Sequence, residues 1–187
     1  MLSPSSKRLA DDHNALSELL RQLQEALIGK DLAASYARLD LFWAKLAVHI
    51  RAEHLHLFPA IVKNSNSGSL LSPISQPSSV EARWTISRLR ADHEFMMHEL
   101  AGLMESMREL SKVNDSARIA KELAAIREVT VELEKRLVIH NEFEEGQVYR
   151  WISSVMDEPE QSDLAASVEQ ELRNRPPRFT LAEWEKE

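Results

Sequence analysis

Apolar residues recur every three or four positions along most of this chain, which is the spacing of one face of an α-helix. The first stripe of apolar residues covers 16–27 and the second covers 39–57. A serine followed by Pro4 is a start signal for the first helix, and Gly29 is a stop signal for it. Asp31 is placed to cap the second helix. This part of the chain therefore predicts a helical hairpin.

The second part of the chain predicts another helical hairpin, after an irregular stretch at residues 64–79. Ser78 opens an S-x-x-E capping box, which predicts a third helix that extends to about Ser111. Asn114 or Asp115 caps a fourth helix. Only four glycines occur in the 187 residues, which agrees with long helices joined by few turns.

Together these signals predict an all-α fold, an up-down-up-down antiparallel four-helix bundle over residues 1–158. A C-terminal tail follows at 159–187, with two short helical candidates on either side of Pro176 and Pro177. The second candidate begins with a T-x-x-E capping signal at Thr180. The sequence leaves open whether this tail packs on the bundle or docks elsewhere.

Composition and charge exclude several classes of function. The net charge is −7 and lysine and arginine form no cluster, which argues against a nucleic-acid partner. The chain has neither an apolar run of about 18 residues, the length that crosses a bilayer, nor an apolar signal segment near its start. We therefore expect a soluble, cytoplasmic protein with no membrane partner. Cysteine is absent, which excludes disulfides, a thiolate nucleophile, and thiolate-bound zinc or iron–sulfur clusters.

Histidines and glutamates repeat in the two halves of the chain. Each half has one histidine on its first helix and the spacing His-x-x-x-Glu on its second, and residues four apart share a helix face. In an antiparallel hairpin, residues equally distant from the turn lie at one level, which brings the four histidines to similar heights in the bundle. The candidate metal ligands are His13, His49, Glu53, His93, His140 and Glu144.

This set of donors favours a site for two metal ions. Four imidazoles and two carboxylates suit iron, manganese or zinc, and they match magnesium or calcium poorly. Two octahedral ions bridged by both glutamates and by an oxide or hydroxide would each keep about one open position. Taken singly, a buried histidine is more often a hydrogen-bonded core residue, and a glutamate more often lies on a solvated face. Taken together, the six positions favour the metal site, and without metal we expect its glutamates to take up protons or water to enter the core.

The repeated pattern of H and HxxxE on four helices resembles the hemerythrin-like HHE cation-binding family over about residues 8–155. The Leu-Phe-Pro that ends at Pro59 is also similar to that family. The resemblance implies a non-haem di-iron centre, with two iron ions held by the six residues above, that binds oxygen, nitric oxide or peroxide. The oxygen carriers of the family have a further third-helix histidine where this chain has Met97, and an aspartate where it has Glu145.

The expected function is therefore binding of a small molecule such as oxygen or nitric oxide, for sensing, carriage or detoxification. Two alternatives stay open: an enzyme that uses the same centre, such as a peroxidase or a nitric oxide reductase, and a metal-storage or regulatory bundle. We expect His54 on the surface, His56 nearer the inner face, and Glu142 and Glu145 pointing away from the metals. The oligomeric state and any protein partner of the tail also stay open.

Overall fold

Helices make up the regular secondary structure of the protein, as a computed structural model shows for residues 2–65 and 76–174, the part of the chain that it describes. In chain order the elements are α1 (Pro4–Ile28), α2 (Leu32–Ala52), a π-helical turn (Glu53–Leu57), α3 (Phe58–Asn64), α4 (Ser79–Ser111), α5 (Ser116–Phe143), a second π-helical turn (Glu144–Val148), α6 (Tyr149–Val155) and α7 (Glu158–Arg173). The all-α prediction is confirmed for these residues. None of the described helices combines the length and the apolarity that crossing a membrane requires.

Side-chain caps fix where three of the predicted helices begin. Oγ of Ser78 accepts a hydrogen bond from the amide of Glu81 at 3.1 Å, so α4 begins at the predicted capping box. Of the two candidates before α5, Asp115 supplies the cap, because its Oδ1 accepts a hydrogen bond from the amide of Ala117 at 2.9 Å. Asp31 caps α2 in the same way. The sequence therefore predicted these helix starts correctly.

The turn after α1 differs from the expected one in a single residue. The helix ends at Ile28, directly before Gly29, as predicted. However, Lys30 rather than the glycine adopts the left-handed conformation, with a φ of 55°. The amide of Asp31 bonds to the carbonyl of Ala26 at 3.1 Å, which is the long hydrogen bond of a Schellman turn. A lysine therefore occupies the position where such turns usually have glycine.

A single π-helical turn interrupts each helix that carries a His-x-x-x-Glu motif. The amide of Phe58 bonds to the carbonyl of Glu53, and the amide of Tyr149 bonds to that of Glu144, so these bonds join residues five apart. The residues on either side keep helical dihedral angles, so α2 continues into α3 and α5 continues into α6. The sequence predicted unbroken α-helices, and the π-helical turns change which side chains share a face.

The described residues fall into two compact units, each built from parts of the long helices. The first unit contains the described residues of 1–13, 48–94 and 139–174. Its apolar core includes Phe58, Tyr149 and other buried side chains from α1 to α4, α6, α7 and both π-helical turns. This unit contains every candidate metal ligand, so its packing positions the site.

The first helical candidate of the tail, α7, packs in this first unit. Three of its apolar side chains are buried in the same core, namely Leu164, Val168 and Leu172. Arg8 of α1 forms an ion pair with Glu169 at 2.6 Å, and Arg51 of α2 forms another with Glu171. The second helical candidate, at Thr180, lies outside the described residues.

The second unit contains 14–47 and 95–138 among the described residues. Its buried apolar side chains include Leu16, Leu20, Leu23, Phe42, Leu46, Leu100, Met104, Met107, Leu123 and Leu133. The amide group of Gln24 donates a hydrogen bond to the carboxylate of Glu134 at 2.9 Å. The guanidinium of Arg136 lies 4.0 Å from the centre of the Phe95 ring. This unit has an apolar core of its own and none of the candidate ligands.

Candidate metal centre

The six predicted ligands lie together in the first unit and are buried, each with at most 3% of its surface exposed. They form two groups whose donor atoms all lie within 4.8 Å of one another. The first group is His13, His49, Glu53 and Glu144, and the second is His93, His140 and Glu144. The sequence therefore predicted which residues meet, although they come from four separate helices.

The first group brings two imidazoles and one oxygen of each glutamate together. Nε2 of His13 lies 3.0 Å from Nε2 of His49. Oε1 of Glu53 lies 3.6 Å from Nε2 of His49, and Oε2 of Glu144 lies 3.4 Å from Nε2 of His13. We call this set of four donor atoms the His13–His49 half of the centre.

The second group repeats this arrangement with the remaining oxygens. Nε2 of His93 lies 2.9 Å from Nε2 of His140. Oε2 of Glu53 lies 3.3 Å from Nε2 of His93, and Oε1 of Glu144 lies 3.3 Å from Nε2 of His140. We call this set the His93–His140 half. Each glutamate therefore directs one oxygen to each half, which is the arrangement of a carboxylate that bridges two ions.

The other ring nitrogens of the first pair of histidines have carboxylate partners. Nδ1 of His13 donates to Oε1 of Glu145 at 2.8 Å, and Nδ1 of His49 donates to Oδ2 of Asp12 at 3.2 Å. These bonds fix the tautomer that leaves Nε2 free to bind a metal. The prediction that Glu145 points away from the site is wrong, because that carboxylate orients His13. Glu142 is exposed.

In the second pair of histidines, one of the two Nδ1 atoms has a hydrogen-bond partner among the described residues. Nδ1 of His93 lies 2.9 Å from Nε2 of His54, and Nδ1 of His140 lies 3.6 Å from Oδ2 of Asp92, beyond hydrogen-bond distance. Burial lowers the pKa of His54, so its neutral ring can accept a hydrogen bond from His93. The prediction that His54 lies on the surface is wrong, because the residue is half-buried against His93. His56 lies instead beside α7, 3.8 Å from Glu171.

These partners recur in the sequence and could have been found there. Asp12 precedes His13 and faces His49. In the same way, Asp92 precedes His93 and faces His140. His54 follows Glu53 and contacts His93. Glu145 follows Glu144 and contacts His13. Helical spacing alone did not predict these contacts, because they join side chains of different helices.

Tyr149 also lies in the cluster and was not among the residues predicted from the sequence. Its side chain is buried, and its hydroxyl donates a hydrogen bond to Oε1 of Glu53 at 2.7 Å. The hydroxyl oxygen of Tyr149 also lies 3.2 Å from Nε2 of His13. Burial and the negative charges of Glu144 and Glu53 raise the pKa of Tyr149 well above its ordinary value. On a regular α-helix a residue five after Glu144 would face elsewhere, and the π-helical turn brings it back to the site.

In the cluster without metal, burial and the nearby carboxylates have opposite effects on the pKa values of three histidines. Burial lowers the pKa of His49, but Glu53 and Asp12 outweigh burial and raise that pKa to about 10. Burial lowers the pKa of His140 as well, but Glu144 outweighs burial and raises it, whereas burial holds the pKa of His93 well below its ordinary value. Each half therefore contains one histidine, His49 or His140, whose pKa is raised.

The expectation that the metal-free glutamates take up protons is contradicted for Glu144. Burial alone would raise the pKa of this carboxyl, but the charges and hydrogen bonds of His140 and His13 outweigh burial and lower it. A carboxylate that stays ionised inside the core needs cations around it. Imidazolium supplies that charge without metal, and a metal ion can replace it.

Two buried carboxylate oxygens without hydrogen-bond partners among the described residues also fit a metal centre, in addition to the types of donor atom present. Oε2 of Glu53 and Oε1 of Glu144 are buried and have no hydrogen-bond partner among the described residues. A buried carboxylate oxygen without a partner is costly, and a bound cation would remove that cost. Nitrogen and oxygen donors of this kind suit iron, manganese or zinc.

Comparison with known proteins gives one match. No curated protein and no solved structure matches the chain. The model of one protein family, described as the hemerythrin HHE cation binding domain, matches residues 5–152. That range contains all six candidate ligands and ends between Tyr149 and α7. The chain therefore belongs to the hemerythrin HHE cation-binding domain family.

Proposed function

We propose that this protein holds two iron ions between its six buried histidine and glutamate residues and binds a small molecule there. One observation supports this most directly: two facing pairs of Nε2 atoms, 3.0 and 2.9 Å apart, share the two oxygens of each buried glutamate. In this proposal Glu53 and Glu144 bridge the ions, and each ion takes two imidazoles. The proposed scaffold is an up-down-up-down antiparallel four-helix bundle.

A pair of iron ions would supply a redox-active centre at which oxygen, nitric oxide or peroxide binds. The residues of the chain hold and orient this centre. Glu145 and Asp12 keep Nε2 of His13 and His49 directed inward, and His54 does the same for His93. Burial of the ligands excludes bulk water, which strengthens every electrostatic contact in the site.

Iron is the proposed metal because the family and the donor set agree with it, and manganese and zinc are the alternatives. Reconstitution with each of the three metals, one at a time and then in competition, tests this choice. We expect iron to reach two ions per chain, and a coupled pair of ferric ions to be silent in electron paramagnetic resonance. Exclusive retention of zinc or manganese in competition would contradict the proposal of an iron protein.

Binding and turnover are separated by cycles of gas exposure. The protein is loaded with ferrous iron without oxygen, and oxygen or nitric oxide is then admitted and removed repeatedly. We expect a spectral change that reverses when the gas is removed, with little consumption of gas. Sustained consumption of oxygen, nitric oxide or peroxide over many cycles would instead identify an enzyme. His49→Ala and His140→Ala variants control for iron bound elsewhere.

A further inference from the structure

Tyr149 lies inside the cluster but has no part in the six-residue ligand set. Its hydroxyl oxygen is 2.7 Å from Oε1 of Glu53, 3.2 Å from Nε2 of His13 and 3.4 Å from Oε2 of Glu144. Its ring stacks on the ring of His13, with centroids 5.6 Å apart and an angle of 19° between the planes. The side chain is fully buried, so this position is fixed by packing.

These distances are those expected between neighbouring ligands of one ion. Nitrogen and oxygen donors bind a metal at about 2.0–2.2 Å, so two donors at adjacent corners of an octahedron lie about 3 Å apart. The Nε2 atoms of His13 and His49 are separated by 3.0 Å. The hydroxyl oxygen of Tyr149 lies at comparable distances, 2.7–3.4 Å, from its three neighbours. It therefore lies among the donor atoms of the His13–His49 half and not behind them.

Among the residues that the structure describes, the other half of the centre has no such donor. Phe58 lies five residues after Glu53, as Tyr149 lies five residues after Glu144. A π-helical turn begins at each of these glutamates, so Phe58 and Tyr149 have equivalent positions. The ring of Phe58 stacks on the ring of His93, at 6.1 Å and 13°. Phenylalanine offers no oxygen, so the His13–His49 half has five protein donor atoms and the His93–His140 half has four.

We propose that Tyr149 is a seventh protein ligand of the centre, bound through its phenolate oxygen to the ion of the His13–His49 half. Small molecules then bind at the ion of the His93–His140 half, which keeps the open position. This inference rests on the proposed function. When Tyr149 binds, the bond from oxygen to metal replaces the O–H bond, and the phenol proton leaves to solvent, as a nearby metal cation favours. Phe58 also lines a surface cleft of about 370 Å³ together with Arg83 and Arg90.

Spectroscopy of the oxidised, iron-loaded full-length chain tests the ligand. Phenolate bound to ferric iron gives a visible charge-transfer band, and resonance Raman excitation in that band shows tyrosine ring vibrations. The chain has two tyrosines, Tyr36 and Tyr149, so Tyr36→Phe is a matched control. We expect the band and the ring vibrations in the natural protein and in Tyr36→Phe, and their loss in Tyr149→Phe. Iron content and helicity are measured on every sample.

The outcomes are distinct. Two iron ions per chain without any phenolate signal in the natural protein would overturn this inference and leave the proposed function standing. Absence of bound iron from the natural protein would overturn both. If Tyr149→Phe fails to fold or to hold iron, Tyr36→Phe still decides, because Tyr149 is then the only tyrosine in the chain.

Titration of the reduced protein with nitric oxide tests where small molecules bind. We expect one nitric oxide per chain in the natural protein and in Tyr36→Phe. Removal of the phenol oxygen opens a position on the second ion, so we expect two per chain in Tyr149→Phe. Two molecules per chain already in the natural protein would show that Tyr149 does not close the His13–His49 half.

Discussion

At the scale of single residues, the centre depends on how each imidazole uses its two nitrogens. Nε2 faces the other ligands, and Nδ1 of His13, His49 and His93 meets a fixed partner. Such partners decide the tautomer and the direction of the ring, so they act on a metal without touching it. The two glutamates differ from the histidines because each reaches both halves through its two oxygens.

The bridging role of the glutamates predicts the effect of their removal. Changing Glu53 or Glu144 to alanine removes one donor from each half, so both ions should be lost together, and iron per chain should fall by more than half. Glu142, which is exposed, provides the matched control, and Glu142→Ala should keep the iron content of the natural protein. Loss of a single ion in Glu53→Ala or Glu144→Ala, measured by elemental analysis, would contradict the bridging role.

The hydrogen bond from His13 to Glu145 predicts a smaller effect from a residue that is not a ligand. Glu145→Ala leaves Nδ1 of His13 without its partner at 2.8 Å, and changes of this kind cost about 10–100-fold in metal affinity. Competition with a chelator of known affinity measures that loss, again with Glu142→Ala as the control. An unchanged affinity in Glu145→Ala would mean that packing alone orients His13.

The clustering of the six candidate ligands was predictable from the sequence, whereas the repeated spacing alone did not determine the contacts of their partners, for a physical reason. His49 and Glu53 lie four apart on one helix, so helical periodicity alone places them on a shared face. The contact between His13 and Glu145 joins two distant helices, and it depends on side-chain directions that periodicity does not determine. Prediction of the contacts of Tyr149 would also have required the π-helical turn before it, which the helical periodicity of the sequence does not indicate.

At the scale of elements, two π-helical turns distinguish the helices around this centre from regular α-helices. Each begins at a ligand glutamate and adds one residue to the turn, so the residue five positions later faces the histidines. Tyr149 and Phe58 are those residues, and each stacks on a ligand histidine. Helix starts were predicted well because caps are local, whereas a π-helical turn in mid-helix depends on the packing around it.

The turn between α1 and α2 predicts a stability change that depends on which residue is left-handed. Lys30 has the positive φ, so Lys30→Gly should relieve a strain of about 1 kcal/mol and raise the melting temperature. A Cβ added at Gly29 would meet only ordinary contacts, at 3.5 Å from two carbonyl oxygens, so Gly29→Ala should be tolerated. Thermal unfolding of both variants checks this prediction. Strong destabilisation by Gly29→Ala would mean that the glycine is the left-handed residue.

At the scale of the whole molecule, stability and metal binding are linked through one unit. Among the described residues, the first unit contains the six candidate ligands together with an apolar core, and the second unit has an apolar core without candidate ligands. Ionised Glu144 in the first unit is balanced by imidazolium when metal is absent. The fold therefore does not depend on the metal for its apolar packing, but the metal should add to its stability.

Removal of the metal should leave a helical protein that melts at a clearly lower temperature. A metal that binds only the folded state adds about 2.7 kcal/mol when its free concentration is a hundredfold above Kd. Circular dichroism with measured occupancy checks this expectation. A metal-free protein that is unfolded at neutral pH would mean that the core is insufficient without the ions.

The difference in melting temperature between the metal-bound and the metal-free protein should become smaller as the pH falls. The pKa of His49 is raised from 6.5 to about 10 in the folded, metal-free protein, so its proton stabilises that form increasingly as the pH falls from about 10 to 6.5. The metal must displace the same proton, so metal affinity falls over the same range. Melting curves at pH 9 and pH 6 would test the sign, and a gap that widens at pH 6 would contradict it.

The most direct test of the central claim is the metal content of the purified full-length chain after anaerobic reconstitution with ferrous iron. Elemental analysis should find about two iron ions per chain, since two pairs of imidazoles share two buried carboxylates. His49→Ala and His140→Ala should each lose iron in the same assay. Less than half an ion per natural chain, or two ions that persist in both histidine variants, would show that this cluster is not a di-iron centre.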